Sequence, residues 1–166
     1  MTAPPTTIED QIASIILAES DLDDLKAVFR GMAYRVPMQY WPYAEVIIFT
    51  ETTVRELTGN KHERAYSGVI FVRVSYQDIV AVSSRTARIP SFELLHTYVD
   101  DIVTLFKEAA NRSLQNLAVA NGAVDRIDVG TDQIDYNIGQ APGYERTETF
   151  ANEGTVPFTV YTWESL

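Results

Sequence analysis

Residues 66–76 read YSGVIFVRVSY, where Ile70, Val72, Val74 and Tyr76 alternate with Val69, Phe71, Arg73 and Ser75. Successive strand side chains point to opposite faces, so one face of this run is wholly apolar and has to be covered by a second layer. The segment AEVIIFT at 44–50 is a second β-branched, apolar run and reads as a buried strand. Between the two lies TTVRELTGNKHERAY, polar and charged, with Gly59-Asn60 as its turn signal. It reads as a long loop over residues 51–65 joining two antiparallel strands, and a loop of that length in a compact domain is usually functional or mobile.

The covering layer is also legible. After Pro90, Ser91 suits an N-cap and Glu93 the first turn, and Leu94, Leu95, Tyr98, Ile102, Leu105, Phe106 and Ala109 form one apolar stripe. Asp100, Asp101, Lys107 and Glu108 fall on the opposite side, so the spacing predicts one long amphipathic helix over about 91–113. Ile8, Ile12, Ile15 and Ile16 predict an N-terminal helix over 8–19 with Thr7 as N-cap, behind a flexible arm at 1–7. A short helical turn in SDLDDL, capped by Ser20 or Asp21, and an extended stretch from Val28 to Val36 follow.

Beyond Asn121-Gly122, AVDRIDVG and TDQIDYNIG alternate apolar with acidic residues and read as two strands paired with each other. GQAPGYERTETFANEG is a second long loop, over 140–154, and TVPFTVYTW closes the chain as a strand whose Pro157 suits an edge or a strand start. Hairpins outnumber strand–helix–strand units. The expectation is one α+β domain over 8–166, with a mainly antiparallel sheet, or a mixed one, packed by the two helices.

Composition narrows the function. With 166 residues, 46% hydrophobic and 22% charged, the chain is of ordinary globular kind, neither disordered nor fibrous. It has no cysteine, which removes thiol catalysis, disulfides and Cys-ligated metals. No signal peptide or apolar run of membrane-spanning length is readable, so no membrane partner is expected. The net charge of −10 is unevenly spread: residues 31–90 are mildly basic, whereas 123–166 hold eight acids against two bases. No Lys/Arg stripe is present for phosphate contacts, so direct, tight nucleic-acid binding is not expected.

Enzyme signatures are missing: no G-x-S-x-G, P-loop, dinucleotide fingerprint or H-E-x-x-H occurs. His62 and His96, the two histidines, read as a loop residue and a helix-face residue. Asp23-Asp24, Asp100-Asp101 and the set Asp125, Asp128, Asp132, Asp135 could supply an acid and a base, but the last set alternates as the wet face of a sheet does. No catalytic, cofactor or metal residue is assigned. Tyr34, Tyr40, Trp41 and Tyr43 crowd around Pro37 and Pro42, and read either as core aromatics covering the sheet or as a protein interface.

The order of a short N-terminal helix, "WPYAEV", a charged excursion, "SGVIFVRVSY", a long amphipathic helix, "VDRIDVG" and a final "GTVPFTVYTW" resembles one known family. Over about residues 8–166 the chain is similar to the tail terminator (tail-completion) proteins of long-tailed bacteriophages. The resemblance implies a virion structural protein assembled in the host cytoplasm. It would form a homo-oligomeric, hexameric ring at the head-proximal end of the tail tube, stopping tube polymerisation and joining tail to neck or connector proteins. DNA would cross the lumen without specific binding, and no enzyme activity or cofactor is implied. Candidate interface residues are Tyr40, Trp41 and Tyr43, with Glu51, Arg55, Glu56, Lys61, His62, Glu63 and Arg64, whose mixed charges suit electrostatic register with a neighbour. Two other classes compete: a small carboxylate-dependent hydrolase, and an adaptor domain docking through Tyr40–Tyr43. Another phage neck or tail-tube protein is the nearest alternative.

Overall fold

Two prolines decide where the first helix begins. In the computed structural model, which describes residues 3–33, 36–57, 59–75, 90–137 and 151–165, helix α1 runs Pro4–Ala18 with prolines at its first two positions. Proline is pre-set for a first helical turn, where its missing N–H is no loss. Residues 4–7 of the expected arm are therefore helix, and Thr7 lies inside α1, its hydroxyl donating to the Ala3 carbonyl. The N-cap is Ala3, which offers no side-chain acceptor. Ala3→Asp is expected to raise stability by about 0.5–2 kcal/mol, read as a shift in the urea midpoint. Ile8, Ile12, Ile15 and Ile16 are buried along one face of α1. A 3₁₀ turn over Ser20–Leu22 follows, capped by the Glu19 side chain rather than by Ser20 or Asp21.

Among the described residues seven strands form one mixed sheet: β1 (Ala27–Arg30), β2 (Tyr43–Leu57), β3 (Lys61–Ser75), β4 (Ala118–Val119), β5 (Gly122–Val129), β6 (Asp135–Asn137) and β7 (Ala151–Ser165). Their order is β1-β2-β3-β7-β5-β4, with β6 also on β7. β1 lies parallel to β2 and the other ladders are antiparallel, so the class is α+β.

Three expectations are corrected here. The loop expected over 51–65 is strand on both sides of Gly59-Asn60, because β2 and β3 stay paired from Tyr43↔Arg73 out to Leu57↔Lys61. β5 and β6 pair with β7, not with each other. Residues 151–154 of the second expected loop belong to β7, while 140–150 lie outside the described residues.

β7 is central, so Pro157 is interior to the sheet rather than on an edge. Its carbonyl accepts from the Gly130 amide at 2.8 Å, just where β5 has ended and β6 has not begun. A residue's N–H and C=O point to the same side of a strand, so the missing donor of Pro157 falls in that gap and no ladder bond is lost.

Helix α2 (Pro90–Leu105) covers one sheet face. Leu95, Tyr98, Val99, Ile102 and Phe106 pack with Ile70, Val72, Val156, Phe158 and Val160 in the main core. The approach is close: a Cβ at Gly154 would stand 2.8 Å from Val99 Cγ2. Ser91 lies within the first turn and accepts from Asn152 at 3.1 Å. The helix does not reach residue 113. Buried Asn111 donates to the Leu105 carbonyl at 3.0 Å, satisfying one of the carbonyls a helix end leaves open, and a separate turn, α3, spans Ala109–Arg112. Leu114, Gln115 and Asn116 then all take positive φ, held by burial of Leu114 and by the Ser113 hydroxyl, which accepts from the Asn116 amide. No helix among the described residues is long and apolar enough to cross a membrane.

Candidate functional site

Two bulges decide what the outer half of the β2–β3 hairpin presents. Strict alternation from Tyr43 would put Glu51 and Arg55 on the same sheet face. The register with β3 shifts between Ile48 and Thr50 and again between Thr53 and Arg55. The first bulge moves Glu51 to the helix-side face, and the second returns Arg55 to the opposite one. The two residues left out of the pairing, Phe49 and Val54, are exposed by 65% and 49%.

On the helix-side face, beyond the reach of α2, Arg64 Nη1 lies 2.6 Å from Glu51 Oε1 and 3.4 Å from Glu164 Oε2. Glu164 is buried, and its Oε1 accepts from the Tyr66 hydroxyl at 2.6 Å and the Thr162 hydroxyl at 2.8 Å. Burial and then this acceptor push the Tyr66 hydroxyl well above the usual phenol range. Thr53, Glu56, His62, Arg64, Asn121 and Glu164 line a cleft of about 320 Å³ above the network.

On the opposite face Glu63 is buried, 2.7 Å from Arg55 Nε and 3.8 Å from Arg126 Nη1. Arg55 covers the Trp163 ring and Arg126 the Tyr161 ring, at 5.6 and 3.9 Å from the centroids. Each face of the hairpin thus has its own ion-pair lattice. These are the expected mixed-charge residues, but as ordered strand positions rather than a solvated loop. Glu56, Lys61 and His62 join none of these contacts, and Lys61 stands exposed beside the turn.

The aromatic group lies elsewhere. Tyr43 and Trp41 are buried, edge to face at 4.8 Å, with Ala27, Phe29, Val36 and Ala151 packed around them. Of the three aromatic interface candidates Tyr40 is exposed, whereas Trp41 and Tyr43 are buried within the subunit. Tyr34 lies outside the described residues. Beside this group sits a charge cluster that sequence reading missed. Arg73 Nη1 is 2.6 Å from Glu45 Oε1, its Nε donates to Glu153 Oε2 at 2.6 Å, and all three residues are buried. Only Arg73's interruption of an apolar alternation pointed to it.

Asp125 and Asp128 both flank Arg126, whereas Asp132 and Asp135 are exposed. His96 stacks on Tyr136 at 4.5 Å between centroids. Among the described residues no group of three His, Cys, Asp or Glu could hold a metal.

Along one edge of this hairpin no described strand lies beside the outer part of β2. β1 covers β2 only from Tyr43 to Val46, after which the Glu9 carboxylate accepts from the Ile48 amide at 2.8 Å. From Phe49 to Glu56 β2 pairs with β3 alone among the described residues. Neither a protein-family model nor a curated protein sequence matches this chain.

Proposed function

We propose that this chain is a structural, non-enzymatic virion protein of the tail-terminator kind. It assembles into a hexameric ring at the head-proximal end of a phage tail tube. There the ring stops tube growth and meets the neck or connector proteins, with DNA passing through its lumen. The resemblance noted from the sequence supplies the family. The observation that carries the reading is the outer edge of β2, beside which no described strand lies and where two apolar side chains, Phe49 and Val54, stand exposed among paired charges. Such an edge is a template for another chain unless it is covered, and the bulges here twist it without removing it. The acidic balance suits a lumen that repels phosphates rather than holding them.

The first experiment is negative-stain imaging of the purified protein at high concentration, with and without salt and a divalent cation. Closed hexameric rings are the expected result. Stacked tubes would point instead to a tube subunit, and single particles in every condition would count against self-assembly. As a second prediction, the amides between Phe49 and Glu56 that point away from β3 should exchange rapidly in the free subunit and slow down in the ring. Rapid exchange persisting after assembly would place the contact elsewhere.

A further inference from the structure

Between the end of α2 and β5 lies a second cleft, of about 230 Å³. Its floor is apolar, from Val103, Phe106 and Ile127, and its rim carries Lys107 and Arg112, both exposed. Asp128, also on the rim, is turned to Arg126 at 3.6 Å. Neither Lys107 nor Arg112 joins an ion pair with a described residue, although the chain carries −10 overall. A cleft of this make takes an apolar side chain flanked by carboxylates.

The chain itself displays such a segment. Leu17, at the end of α1, is 55% exposed, and Glu19, Asp21, Asp23 and Asp24 follow it with no ion pair to a described residue. Burial, then Asp21, Asp100 and Glu19, push the Asp101 carboxyl above its usual value, as acids without a nearby cation do. This elbow and the cationic cleft sit on different flanks of the same stretch of α2. Asp101, Thr104 and Leu105 face the elbow, whereas Val103, Phe106 and Lys107 face the cleft. One copy therefore cannot fill its own cleft with its own elbow.

We propose that the Lys107–Arg112 cleft of one copy receives the acidic elbow Leu17–Asp24 of the next. The contact joins two different patches, which is the head-to-tail kind that closes into a ring. It rests on the self-assembly reading above and names the surfaces for it.

Two variants test it by sedimentation velocity, each first checked for native circular dichroism. Lys107→Glu with Arg112→Glu makes the cleft acidic, and Asp21→Lys with Asp23→Lys makes the elbow basic. All four positions are exposed, so the fold should tolerate the changes. Each variant alone should need a concentration about 100-fold higher than the wild-type protein to assemble, because like charges then meet. An equimolar mixture should assemble again, since each reversed patch finds its complement on the other variant. Variants that assemble as the wild-type protein does, or a mixture that stays dissociated, would overturn this contact while leaving the ring standing. Wild-type protein that remains a single subunit at all concentrations would overturn both.

Discussion

Arg73→Leu is expected to destabilise the fold by about 3–5 kcal/mol, because it leaves Glu45 and Glu153 buried against each other without their cation. The loss should depend on pH. Burial already pushes the Glu45 carboxyl above its ordinary value, and Arg73 only partly offsets that. A carboxyl whose folded pKa is raised contributes stability that is fully present below its unfolded pKa and disappears as pH rises through the folded one. Without Arg73 the Glu45 carboxyl moves further up, so the variant should be most stable near pH 4 and weaken toward neutrality. The wild-type protein should show a much shallower fall over the same window. Urea midpoints at a series of pH values measure both. A loss under 1 kcal/mol with no pH slope would mean that the cluster relaxes into water when opened.

Phe106→Ala should cost about 3–5 kcal/mol, and Leu95→Ala about 2–5 kcal/mol, through the cavities they leave between α2 and the sheet. Both side chains are essentially without exposure, and Leu95 Cδ1 would lie 3.4 Å from a Cβ at Gly154. The helix cannot settle closer to fill the space, since Val99 is already near contact with β7. Equilibrium denaturation with an unchanged slope is the expected form of the result. A near-neutral outcome at either position would place the packing face of α2 elsewhere.

What sequence reading reached was periodic. The stripe from Leu95 to Phe106 and the Ile70-Val72-Val74 alternation repeat at the spacing of their own backbone, so the chain itself states which side is buried. The buried face of α1 was legible for the same reason. The errors fell where periodicity stops or long-range partners intrude. The polar segment 51–65 reads as a loop because exposed strand pairs lack an apolar face, and two bulges scramble the alternation that remains. Trp41 and Tyr43 were legible as aromatic, but their burial comes from Phe29 on β1 and from Ala151, far away along the chain on β7. The early end of α2 depends on the side chain of Asn111 reaching back to Leu105, a contact no hydrophobic pattern records.

The candidate site divides in the same way. Glu51, Arg55, Glu63 and Arg64 were visible as a cluster of both signs. Which acid meets which base was set by the bulges, and Glu164 joins only because β7 lies beside β3.

By itself, then, the sequence determined the α+β class, the face each helix buries and the absence of thiol chemistry, because these depend on residue type and local spacing. Tertiary structure alone decided that Pro157 could sit inside a sheet and that three charged groups could be buried at Arg73. It also decided that no described strand would lie beside the outer part of β2. Each of these depends on whether a distant strand is present or absent beside a backbone group, and local spacing carries no record of its neighbours.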